Sequence, residues 1–252
     1  MGNPTTASGV TDQSFPSAVH SVFAGPTAAW PLRPQGKNEC SFSAMAHALN
    51  IQAGQTLYDP LVFRRAVGPF FQAALGGTLP PLKAWQLRRL GYGSHYGSLA
   101  HTDAEFVWRE LIDLRVPVIV DIYSAAQWGR RRVYGQHAVV LVGYSDTYHD
   151  AAGVERSEYY LIDSEWPRFG RCDAADNVVD RDGDGVAEDY PGNRTVSRAE
   201  FLRITTTRTY TPIFPDLLAH ARWYQHRFST PLPRWYGRVL DGSRDIVRAV
   251  KS

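Results

Sequence analysis

Cys40, His137 and Asp163 are the side chains whose types and settings would do covalent chemistry together. A cysteine attacks as its thiolate, so it needs a cation or a helix N-terminus nearby to lower its pKa. A base must reach the sulfur, and a third group must hold that base in the right tautomer. Cys40 stands where the polar stretch QGKNE (residues 35–39) meets a helix-forming run. That setting turns the first backbone N–H groups and the positive end of the helix dipole toward the sulfur. His137 opens the apolar segment HAVVLVGY (137–144), and Asp163 closes EYYLID (158–163). If these are antiparallel neighbours joined by the loop 145–157, the start of one lies beside the end of the other. His137 and Asp163 then meet at one edge of a sheet.

The elements that must position these groups follow from periodicity. In SFSAMAHALNIQ, residues Phe42, Met45, Ala46 and Leu49 recur at spacings of three and four, the period of a buried helix stripe, with Gly54 near the stop. Further helical patterns lie at 60–67, 82–90 and 104–114, the last with Thr102 or Asp103 as N-cap. The period then changes, and 116–123, 137–144 and 158–163 are short β-branched and aromatic runs. Residues 203–213 alternate as a half-buried strand would. Helices first and strands after them predict an α+β domain with segregated layers. Trp85 and Trp108 read as core anchors and Trp128 as a loop aromatic near a cleft. His47 reads as a partly buried surface residue, and His95, His101 and His149 as loop residues.

With 252 residues, 44% of them hydrophobic, the chain has enough apolar mass for a real core. A formal net charge of +2 argues against a nucleic-acid partner, and Arg130–Arg132 read as a solvated loop. The two cysteines, Cys40 and Cys172, exclude a disulfide framework and any zinc site with several cysteine ligands. A bridge between the two is possible and would silence Cys40. No run of about 18 apolar residues predicts a membrane span. The first residues lack the basic start and apolar stretch of a signal peptide, which leaves the location open between cytoplasmic and secreted after a signal has been removed. Gly2 and Thr6 match a myristoylation pattern only loosely. Composition divides the chain into an extended arm (1–34), a body (35–214) and a helical appendage (215–252) packed on that body.

The order of cysteine, histidine and aspartate, with helices between the first two, resembles the papain-like cysteine peptidase superfamily. Within it the segments are most similar to the bacterial, bacteriocin-processing peptidases that cut after double-glycine leaders. The matching pieces are Gln35 ahead of Asn38-Glu39-Cys40-Ser41, then LKAWQLRRLGYGS, VPVIVDI, Gly135-Gln136-His137 with its apolar strand, and Tyr160-Leu161-Ile162-Asp163-Ser164-Glu165-Trp166. They span roughly residues 35–170. The resemblance implies a nucleophile helix packed on an antiparallel sheet, thiol acyl-transfer chemistry and a peptide or protein substrate. It implies Cys40 as nucleophile, His137 as base, Asp163 as the orienting acid and Gln35 as the oxyanion donor, with no cofactor for catalysis. Trp166 would shield the His–Asp hydrogen bond. Gln35 lies five residues before Cys40, one closer than the usual spacing, so Asn38 is the alternative donor, and Ser41 stands where a glycine is common. Hydrolysis, acyl transfer to an amine, and a catalytically silent binding module all remain open on this scaffold.

A second constellation lies in DRDGDGVAEDYPGN, within an insertion at 173–194. Asp180, Asp182 and Asp184, followed by Gly185, have the spacing of the first half of a calcium-binding EF-hand loop. The Val186 carbonyl and Glu188 fall where later ligands would be, but the twelfth position is Pro191, with Asp189 as a substitute in a shortened loop. The expectation is a structural calcium ion that stabilises the insertion.

Overall fold

In the computed structural model of the chain, the described residues are 21–24, 39–60, 63, 78–123, 136–149, 153–164, 194–205 and 208–229. Helix α1 (Cys40–Ala53) begins at Glu39 and ends at Gly54, whose φ of 68° is the left-handed conformation that glycine adopts without strain. Every residue from Cys40 to Ile51 is buried, so α1 is covered on all sides, not along one stripe. Its small residues Ser41, Ser43, Ala44, Ala46 and Ala48 allow that close approach. Asn50 fastens the chain leaving the helix, because its Oδ1 accepts from Leu57 and Tyr58 N–H, each at 2.8 Å.

Helix α2 (Pro80–Arg89) starts on prolines, which have no N–H to leave unpaired in a first turn. Helix α3 (His101–Asp113) starts earlier than the sequence pattern suggests, with Ala100 at the N-cap and no side-chain cap. Asp103 sits instead inside the first turn, where its charge faces the positive end of the dipole. Trp108 on α3 is fully buried, whereas Trp85 on α2 is 41% exposed and carries the Arg89 guanidinium 4.7 Å from its ring centre. Trp85 is therefore no core anchor.

Among the described residues the strands are β1 (Ser21–Phe23), β2 (Gly97–Ser98), β3 (Val118–Tyr123), β4 (Gln136–Ser145), β5 (Tyr148–His149), β6 (Glu155–Arg156), β7 (Glu158–Ile162), β8 (Arg194–Ser197) and β9 (Thr209–Pro212). Seven form one antiparallel sheet, ordered β2-β9-β3-β4-β7-β8, with β1 pairing the far end of β4. β5 and β6 make a separate small hairpin inside the 145–157 connection. β4 is the axis of the sheet. Its residues are buried at consecutive positions from His137 to Ser145, so both faces are covered, and α1 and α3 both pack against it.

The 203–213 segment is not one strand. Residues up to Ile204 belong to helix α4 (Arg198–Ile204), and only 209–212 pair in the sheet, buried at all four positions. Ser197-Arg198-Ala199-Glu200 is a capping sequence, in which Ser197 Oγ accepts the Glu200 N–H at 3.2 Å. That local start signal overrides the alternation downstream. The last described helix, α5 (Leu217–Phe228), buries Trp223 in the apolar core with His220 beside it. Its first turn can approach because residue 93 is glycine, where a Cβ would run into the Asp216 carbonyl oxygen and His220 Cβ. The expected mixture of helices and antiparallel sheet is thus present.

His47 lies deeper than its sequence context suggests, and a second histidine, His220, is buried too. His47, on the helix that is buried all round, is only 2% exposed, and burial pushes its pKa down to about 4. His220 is fully buried, 2.8 Å from His95 Nδ1 through its Nε2, and His95 Nε2 meets Tyr210 Oη at 3.0 Å. Burial, then the neighbouring His95, takes His220 to about 2, while burial and then Arg88 take His95 to about 3. All three are held below their unfolded values. Their contribution is present above the unfolded pKa of roughly 6.5 and is lost as pH falls toward the folded values. The two fully buried rings alone give a slope of about 3 kcal/mol per pH unit below that point. His137 is protonated in both states there and adds nothing. Denaturant unfolding at pH 6 and pH 5 is expected to differ by about 2–3 kcal/mol; equal stabilities would show that these rings accept protons without unfolding.

Candidate active site

The site is assembled by one helix start and two adjoining strands. The first intrahelical bond of α1 is Ser43 N–H to the Glu39 carbonyl at 3.0 Å. The N–H groups of Cys40, Ser41 and Phe42 therefore precede the helical ladder, and the Glu39 side chain at the N-cap does not bond them. Cys40 is a free thiol, 9% exposed, at the first position of this helix. β4 and β7 run antiparallel with Val140 opposite Ile162, so Asp163, one residue past β7, lies across from the start of β4. His137 Nε2 is 2.7 Å from Asp163 Oδ1. The Cys40 thiol lies near enough to the same imidazole for the ring to pull its pKa down. Ring and carboxylate meet at one edge of the sheet, as the strand-edge reasoning anticipates, and the Cys40 thiol acts on the same ring.

This pair is dry. His137 is 3% exposed and Asp163 0%. Burial alone raises the Cys40 thiol, but the His137 hydrogen bond and charge outweigh it, followed by the Ala138 backbone N–H and the Lys83 charge, and the net shift is downward. For His137, burial disfavours the charged ring. The Asp163 charge and hydrogen bond, then Cys40, outweigh burial and hold the ring well above the usual imidazole value. A lowered thiol facing a raised imidazole shifts the proton from sulfur toward the ring, the direction a nucleophilic cysteine requires.

Three participants were not evident in the chain order. Arg194, which opens β8, donates from Nη1 to Asp163 Oδ2 at 2.9 Å and is itself 4% exposed. It reaches the site because β8 pairs with β7, Leu161 opposite Arg194. Lys83 on α2 and Asp121 on β3 form a buried ion pair, with Thr209 Oγ1 3.2 Å from the other Asp121 oxygen. An arginine more than thirty residues from the nearest site residue carries no local signal, although Lys83 and Asp121 inside otherwise apolar elements do mark themselves as charges needing partners. A groove lined by Phe106, Arg109, Tyr144 and Trp223 includes none of these groups.

Gln35, Asn38, Trp128, Trp166, Cys172 and the calcium-loop positions Asp180, Asp182, Asp184, Val186 and Glu188 lie outside the described residues. Among the described residues no group of three or more His, Cys, Asp or Glu side chains is placed to hold a metal ion. Among them, too, no helix is long and apolar enough to cross a membrane. No protein-family model matches the chain, and no curated protein matches it.

Proposed function

We propose that the chain is a cysteine-dependent hydrolase of papain-like type, acting on a peptide bond through a thioester intermediate. The observation that carries this reading is the buried His137–Asp163 hydrogen bond beside the Cys40 thiol, with the sulfur at a helix N-terminus. His137 takes the Cys40 proton, the thiolate adds to the carbonyl carbon, and the oxyanion develops beside the N–H groups at the start of α1. The imidazolium then returns its proton to the leaving amine. Water, deprotonated by the same ring, cleaves the thioester and frees the thiol. Asp163 fixes the ring in one orientation and favours its charged form throughout. Gln35 or Asn38 would supply a further oxyanion donor from its side chain.

Iodoacetamide labelling mapped by mass spectrometry tests the chemistry without a known substrate. At pH 6, Cys40 is expected to be alkylated at least about tenfold faster than an ordinary thiol, and His137→Ala is expected to abolish that advantage. Labelling of Cys40 at the ordinary rate, indifferent to His137, would leave a binding module in place of an enzyme.

A further inference from the structure

Asp163 has two oxygens and the histidine uses one. The second accepts Arg194 Nη1 at 2.9 Å, and neither residue is open to water, at 0% and 4% exposure. An aspartate that only oriented a histidine would need no buried guanidinium, whose desolvation is costly unless its charge is matched. We propose that Arg194 is a positioning residue of the thiol site: it locks the second oxygen of Asp163 and completes an alternating row of thiolate, imidazolium, carboxylate and guanidinium that sets the pH range of the reactive thiol. This inference rests on the hydrolase reading and deepens it.

The geometry gives Arg194 two separable effects. Its N–H group holds the carboxylate rotamer, so that Oδ1 stays directed at His137 Nε2, 2.7 Å away. Its charge lies one residue beyond the imidazole, where it opposes protonation of the ring and of the thiolate alike. Among the described residues, other charged or titratable groups at the site are Glu39, buried beside Cys40 at the helix start, and Lys83 with its partner Asp121. These stay in place when Arg194 changes. Loss of one positive charge from the end of the row therefore moves both titrations in one direction, to higher pH.

The rate of Cys40 alkylation against pH reads both: a lower inflection where the thiol ionises and an upper one where the imidazolium loses its proton. In Arg194→Gln, which keeps a donor and removes the charge, both inflections are expected to rise by about one pH unit. Arg194→Lys, which keeps the charge, is expected to return them to within a few tenths of a unit. A purely structural arginine would lower thermal stability in Arg194→Gln and leave both inflections in place, and that result overturns the proposal. Should Arg194→Gln fail to fold, Asp163→Asn and the double variant Asp163→Asn/Arg194→Gln report the same charge. The single variant keeps a guanidinium facing the imidazolium, so its upper inflection is expected about one unit below that of the double. Coincident upper inflections overturn the proposal as well. Failure of the underlying hydrolase reading looks different, since the wild-type protein would then show one ordinary thiol titration unaffected by His137→Ala.

Discussion

In His137→Ala, turnover of a peptide substrate is expected to fall at least about a thousandfold, because general base and general acid are lost together. The thiol suffers a second loss. Burial is the largest influence on Cys40 and pushes it upward, while the His137 hydrogen bond and charge head the forces that bring it down. Without the ring the thiol is expected at or above its ordinary value of 9.0, so little thiolate exists at neutral pH. Exogenous imidazole would restore part of the rate if the cavity left by the ring admits it. The fold should survive, because Asp163 keeps Arg194 as its partner. Circular dichroism and the alkylation profile separate the two consequences: native spectra with a thiol titrating near or above 9 are expected. A profile unchanged from wild type would mean that His137 does not touch the chemistry.

Asp121→Ala is expected to be the most destabilising single change in the sheet. Lys83 is 1% exposed and Asp121 5%, so the substitution strands an ammonium in the core. Removing one partner of a buried pair costs about 3–5 kcal/mol, whereas replacing both by apolar residues of similar size is close to neutral. Lys83→Met/Asp121→Leu is accordingly expected to regain most of the stability that Asp121→Ala loses. Denaturant midpoints at constant m-value measure both. A loss below about 1 kcal/mol in Asp121→Ala would show that water reaches the ammonium. The double variant has a further use, because Lys83 is one of the charges that lower the Cys40 thiol. Its alkylation profile should shift slightly upward while the fold is retained.

Sequence and tertiary structure share the information unevenly. Local chemistry was legible in the chain itself. β-branched runs at 118–123 and 158–162 become strands, small residues after Cys40 become a tightly packed helix, and Gly54 takes the left-handed stop. The meeting of His137 with Asp163 was also legible, because antiparallel pairing of successive strands converts sequence order into proximity. Patterns mislead where a nonlocal surface decides the outcome. Trp85 has the size of a core residue and lies on the outer side of α2, and His47 looks like a surface residue and lies on a helix covered all round. The alternation at 203–213 loses to the Ser197–Glu200 cap and to a neighbouring layer that buries both faces of β9.

What the amino-acid order determined by itself was the principal helices and strands around the site and the meeting of His137 with Asp163, since helix period, strand period and the pairing of successive strands follow from order along the chain. Only the tertiary structure decided that Arg194 closes the row behind Asp163 and that Lys83 finds Asp121 in the core. Those partners come from elements far apart in sequence, and a buried charge is matched by whatever the fold brings within a few ångströms of it.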